Sequence, residues 1–96
     1  MTYRENWSDE DLDVIWSKGR AVRGYEPLKW RKDVCGAWMY GDEHGKRESR
    51  YGWEVDHIDS NPENNALSNL RPLHWKNNAS ERCSVTSDGN RNALTD

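Results

Sequence analysis

The sequence predicts a small, mostly helical α+β domain, and three observations predict it. A capped amphipathic segment lies near the N-terminus. Two short strand candidates, 53–57 and 71–74, flank a polar turn. A helix-tolerant stretch, 75–82, follows the second strand directly. Ninety-six residues make one domain, 1–96, with room for a single modest core. Within it we distinguish a helical and basic N-terminal segment (1–50), a compact core (51–82) and a polar tail (83–96).

Ser8-Asp9-Glu10-Asp11 has the Ser-x-x-acid form of a capping box, and acids in a first turn suit the positive end of a helix. Leu12, Ile15 and Trp16 then share a face and Gly19 offers a stop, so a helix is expected over 8–18. Gly24 and Pro27 punctuate 20–34, which leaves room for a short helical turn around Lys29–Lys32. Ala37–Tyr40 reads as a short strand, and the stretch GDEHGKRESRYG as turns. Trp53–His57 alternates in character as a strand does. Asn61 before Pro62 suits the cap of a single helical turn. Arg71–His74 reads as a strand that Pro72 marks as an edge. Beyond Cys83 the tail SVTSDGNRNALTD is polar and is expected to be disordered.

Composition narrows the function classes. Only 33% of residues are hydrophobic and Phe is missing, so six Trp and four Tyr must supply much of the buried area. No apolar run has the length of a membrane span, and MTYRENWSDEDLD lacks the order of a signal peptide; the expectation is a cytoplasmic protein. Cys35 and Cys83 lie far apart in sequence and form no CxxC, which favours two free thiols. Net charge is −3, yet residues 18–50 carry nine bases against five acids. Lys18, Arg20, Arg23, Lys29, Arg31, Lys32, Lys46, Arg47 and Arg50 form the only basic stretch, a candidate phosphate-facing patch whose ordinary alternative is a solvated surface.

Chemistry concentrates in WEVDHIDSN. Glu54 and Asp56 share one strand face, and His57 sits at the strand end. A helix starting near Trp75 and packed on the hairpin would bring Asn77 or Asn78 towards Asp56. A carboxylate and an amide carbonyl are hard ligands that suit Mg²⁺ or Mn²⁺. A neutral imidazole beside such a cation is placed to take a proton from water.

These residues resemble the HNH endonucleases, whose site is a ββα-metal hairpin and helix. The resemblance covers about 53–82 and rests on Asp56-His57, on Asn69 in SNLRPL, and on Asn78 nine residues further on. It implies a metal-dependent endonuclease that hydrolyses phosphodiester bonds of nucleic acid, with DNA the favoured substrate. By the same resemblance His57 is the general base, and Asp56 and Asn78 are the protein ligands of one divalent cation. Asn69 fixes the loop and holds His57 in orientation, and Glu54 supports Asp56 by pinning an arginine or a metal-bound water. An Asn at the last anchor makes this an H-N-N variant, as in the HNH domain of RNA-guided DNA nucleases. Its harder oxygen favours Mg²⁺ or Mn²⁺ over Zn²⁺ or Ni²⁺.

Two departures from the family pattern matter. Many HNH proteins carry CxxC pairs around a structural zinc; here those positions read Cys35 with Trp38 and His74 with Asn77, too few ligands for a tetrahedral site. No structural zinc is expected, and Trp38, Trp30, Trp53 and Trp75 are expected to replace it by packing. Glu81 stands where the family often has Lys, which removes one phosphate contact. Arg31, Lys32, Arg47, Arg50, Lys76 and Arg82 are the candidate nucleic-acid contacts. The alternative function is a catalytically inactive HNH-like module that binds DNA or docks to a partner protein; a structural zinc-binding adaptor is a third.

Overall fold

A computed structural model describes residues 7–86. The expected disorder of the tail therefore falls, for residues 87–96, outside the described residues. Two helices and two antiparallel hairpins follow the order α1 (Asp9–Trp16), β1 (Trp30–Lys32), β2 (Trp38–Tyr40), β3 (Trp53–His57), β4 (Leu70–His74) and α2 (Trp75–Ser80), with single 3-10 turns at Gly41–Glu43 and Leu67–Asn69. The α+β class holds, but the domain is not mostly helical. Each helix is short, and Trp30–Lys32, expected as a helical turn, is instead a strand that pairs with Trp38–Tyr40 in a second sheet. The physical reason lies in the residues between them: Asp33 and Gly36, the latter at φ 91°, close a tight turn that brings the two triplets into register.

Helix α1 begins as its capping box predicts, with Ser8 Oγ accepting from Asp11 N at 3.1 Å. Its apolar face buries Ile15 and Trp16 completely or nearly so, and Leu12 packs at the margin. The core joins these to Met39 from β2, Trp53 and Val55 from β3 and Leu70 from β4, with Trp7 and Leu67 along its edge. Trp16 and Trp53 meet at 5.1 Å between ring centroids. Lys18 reaches from the end of α1 to the carbonyls of Leu67 and Leu70, and so ties the helix to the start of β4.

Strands β3 and β4 pair over their full lengths, from Trp53 opposite His74 to His57 opposite Leu70. Gly52 precedes β3 because the chain passes too close there for any side chain: a Cβ would stand 1.9 Å from the Lys46 carbonyl oxygen. Helix α2 leaves β4 without a linker. His74 caps it, Nδ1 accepting from Lys76 N at 3.1 Å, and it stops at Glu81 in the left-handed conformation, φ 59°. It is thus two residues shorter than the stretch 75–82 suggests.

The cysteines are not free. Cys35 in the β1–β2 turn is bonded to Cys83 just after α2, with Cα atoms 5.4 Å apart. The separation in sequence concealed this, because the two segments are neighbours only once α2 folds back on the hairpin. Near the positions that the resemblance marks for zinc ligands, the chain is tied by this bond and by Asp33. The buried Asp33 carboxylate accepts from Cys35 N (2.9 Å), Ala37 N (2.8 Å), His74 N (3.0 Å) and Asn77 Nδ2 (2.9 Å). The expectation that tryptophans take over from zinc is therefore corrected. Trp53 belongs to the main core, while Trp30 and Trp38 pack with Tyr25, Tyr40 and Tyr51 on the other hairpin.

Candidate active site

The β3–β4 hairpin and α2 enclose an open cleft of about 480 Å³, lined among others by Asp56, His57, Arg71, Asn78 and Arg82. Strand β3 supplies Asp56 and His57 at its C-terminal end, where the hairpin emerges from the core. Asn78 enters from α2, which is held over the hairpin by its cap and by Asn77. That side chain is buried, donating to Asp33 Oδ2 and to Val85 O and accepting from Val85 N at 2.7 Å. Asn77 therefore braces the fold, and Asn78, one position on, faces the cleft.

Asn78 is oriented by Glu54. Its Nδ2 donates to Glu54 Oε1 at 2.8 Å, which turns the amide carbonyl away from the carboxylate. Glu54 itself is fully buried and receives both arms of Arg47, Nε at 2.5 Å and a terminal nitrogen at 2.8 Å. A buried carboxylate of this kind is tolerable only because its charge is met by a bidentate partner. Asp56, one register step along the same strand face, is paired across the hairpin with Arg71, whose Nε lies 2.8 Å from Asp56 Oδ2.

His57 is held by a loop. Its Nε2 donates to Asn65 Oδ1 at 2.8 Å, and the Trp7 ring stands 6.2 Å away between centroids. Because an amide oxygen only accepts, this bond puts the ring proton on Nε2 and leaves the lone pair on Nδ1, which has no partner among the described residues.

Among the described residues no hydrogen bond joins Asn69 to the imidazole; its side chain organises the loop that carries Asn65. Asn69 and Asp59 exchange two hydrogen bonds, Asp59 N to Asn69 Oδ1 at 3.0 Å and Asn69 Nδ2 to Asp59 Oδ1 at 2.9 Å. Asn69 Nδ2 also reaches Asn64 O at 2.9 Å. The Asn64 side chain, the Asn61 backbone and Asn69 together donate to the Asp59 carboxylate and hold its pKa below the ordinary value. Asn61 opens a single turn and not a longer helix: its backbone O accepts from Asn64 N and its Oδ1 from Glu63 N, each at 3.0 Å.

The expected basic contacts divide. Arg31 donates to the carbonyls of Pro27, Ser17 and Gly19, and Arg47 to Glu54, so both are consumed by the fold, as is Lys18. Lys32 lies 4.8 Å over Trp38, Arg50 5.6 Å over Tyr51 and Lys76 5.4 Å over Trp75. Of the six, Arg82 lines the cleft. Arg71, Asn65, Asp59 and Asp33 are the residues that reading the sequence missed. A weak signal for three of them was present, since DSNPENN is dense in the Asn and Asp that build Asx turns and Asp33 precedes a glycine turn.

The HNH endonuclease family model matches residues 37–79, from β2 to the end of α2. This segment belongs to the HNH endonuclease family. Comparisons with curated proteins and with solved structures give no significant match. The HNH segment contains Asp56, His57, Asn69 and Asn78 but neither Trp7 nor Asp33, so the family domain takes ring packing and bracing from the chain that precedes it. Membership associates the protein with nuclease-type, nucleic-acid-related function and with a family that typically uses a divalent metal.

The residues present fit such a cation. Asn78 offers a carbonyl oxygen that no described group donates to, and Asp56 Oδ1 likewise has no partner among the described residues. Both are hard oxygen donors that line one cleft, of the kind a divalent cation takes. Among the described residues no cluster of three or more His, Cys, Asp or Glu is arranged to hold a metal. Cys35 is bonded to Cys83, and both nitrogens of His74 are engaged, Nε2 with Arg50 O at 2.7 Å.

Proposed function

We propose that the protein is a metal-dependent endonuclease that hydrolyses phosphodiester bonds, with DNA as the substrate. The observation that carries the reading is the imidazole of His57: bonded through Nε2 to Asn65, it keeps an Nδ1 lone pair that has no partner among the described residues, and it lines the cleft that also presents Asp56 and Asn78. In this reading His57 Nδ1 takes a proton from water as its oxygen bonds to phosphorus, and the bond to the 3′ oxygen breaks. Products then carry 5′-phosphate and 3′-hydroxyl ends. A divalent cation, when bound, supplies neutralisation of the charge that develops on the phosphate and the leaving oxygen. Asp56 and Asn78 would hold it. Asn65 keeps the imidazole in the tautomer that can accept a proton, and Asn69 acts behind it by shaping the loop.

One observation favours a second reading, a non-catalytic module that binds nucleic acid or a partner protein. Asp56 is already engaged by Arg71, as it would be in a site kept only for structure. Plasmid nicking separates the two. The nuclease reading expects purified protein to relax supercoiled DNA with Mg²⁺ or Mn²⁺, to stop in EDTA, and to leave ends that ligate without further treatment. Binding of the same plasmid with no nicking under any divalent cation would pass the lead to the second reading. A cytoplasmic location stands as part of this proposal, and because so small a domain leaves little surface for reading bases, so does a partner that supplies specificity.

A further inference from the structure

Arg71 is the one cation that belongs to both the hairpin and the cleft, and the way it is held is informative. It lies directly opposite Asp56 in the β3–β4 register. Its contact to Asp56 is made by Nε alone, at 2.8 Å, and its two terminal nitrogens have no partner among the described residues. The guanidinium is planar, so anchoring Nε fixes the direction of the remaining N–H groups. Arg47 on the neighbouring carboxylate makes the contrast plain. It gives both Nε and a terminal nitrogen to Glu54, as a structural ion pair does. Arg71 withholds its terminal edge, lines the cleft with His57 and Asn78, and keeps its side chain 34% exposed.

We propose that Arg71 is a phosphate-binding residue: its terminal nitrogens grip a backbone phosphate of nucleic acid next to His57, and Asp56 orients the fork. This rests on the nuclease reading and adds a binding residue that the three anchors do not include. It also gives the ion pair a purpose. Asp56 then serves two positive partners, Arg71 through Oδ2 and a divalent cation through Oδ1. Two cations on one carboxylate repel each other, so Arg71 weakens metal binding when no phosphate is present and is itself better neutralised when one is.

The test uses the full chain with His57→Ala as background, so that nothing is cleaved. Anisotropy titration of a labelled duplex in EDTA reads phosphate binding, and calorimetric titration with Mn²⁺ alone reads the metal. Arg71→Gln is expected to lose about tenfold or more in DNA affinity, as removal of charge-assisted bonds to an anion implies, with a salt dependence shallower by about one phosphate contact. The same variant should bind Mn²⁺ more tightly. Arg71→Lys, a charge without a fork, should recover only part of the DNA affinity. Unfolding curves matching the parent show that the variants remain folded. Unchanged DNA affinity in Arg71→Gln, no metal-free binding by the parent, full recovery by Lys, or weaker Mn²⁺ binding in Arg71→Gln would each overturn the proposal. Failure of the nuclease reading is seen separately, as absence of metal-dependent nicking by the protein with His57 intact.

Discussion

Only one nitrogen of His57 is without a partner among the described residues, and the bond to Asn65 decides which. Asn65→Ala removes the acceptor that selects the tautomer, so the cleavage rate should fall by about tenfold while duplex binding is unchanged. Asn65→Asp should instead move the acid limb of the pH–rate profile upwards, because a carboxylate beside the ring favours the protonated form that cannot accept a proton. A pH profile of both variants under single-turnover conditions checks the pair of outcomes. Asp33 is the other residue on which much depends. Asp33→Ala would leave the backbone N–H groups of Cys35, Ala37 and His74, the last at the end of β4, without an acceptor and would leave Asn77 Nδ2 on α2 with Val85 O alone, and should cost about 3 kcal/mol or more in urea unfolding. That Asp56, His57 and either Asn77 or Asn78 would come together was legible in a hairpin followed at once by a helix, and the resemblance to the family singled out Asn78. The roles of Asn65 and Asp33 were signalled only weakly, by their turn-rich surroundings, and that of Arg71 not at all. Their partners lie across a strand pair or a closed loop, and a single sequence does not record which backbone groups end up facing each other.

At the scale of elements, the hairpin, its loop and α2 act as one unit because caps and side-chain bonds replace linkers. His74 is the joint between β4 and α2. Burial, the largest influence on it, lowers its pKa below the ordinary value of 6.5, and Nδ1 must stay unprotonated to accept from Lys76 N. The unfolded chain therefore takes up a proton that the folded chain refuses, so stability falls as pH drops from about 6.5 towards the lowered folded value. Asp59 acts further down. Its lowered pKa gives the loop stability that is present above 3.8 and is lost as pH falls through the folded value. Urea midpoints measured from pH 7.5 to 5.5 should show the first decline, and His74→Gln should flatten it. Helix α1 was legible from its capping box and apolar face, and β3 from its alternation. Strand β1 was missed because three residues, Trp30 to Lys32, carry too little periodicity to distinguish a strand from a turn, and only the pairing with β2 settles it.

For the molecule as a whole, a small core in which Trp16 and Trp53 pack among aliphatic side chains is supplemented by two ties that reach across it, the Asp33 carboxylate and the Cys35–Cys83 bond. The bond closes a loop of 48 residues, for which chain entropy alone gives about 4 kcal/mol of stabilisation. Reduction should therefore lower the urea midpoint markedly while leaving the circular dichroism of the folded state unchanged; an unaltered midpoint would mean that Asp33 carries the tie by itself. Since thiols in most cytosols are kept reduced, the same measurement describes the form expected there. The central claim is that the cleft is a hydrolytic site with His57 as its base. Single-turnover cleavage of a labelled duplex by His57→Ala, at saturating Mg²⁺ or Mn²⁺, tests it most directly. The predicted result is a loss of about 10²–10⁴-fold with the fold and Mn²⁺ affinity retained. Cleavage that survives both this substitution and EDTA would contradict the claim.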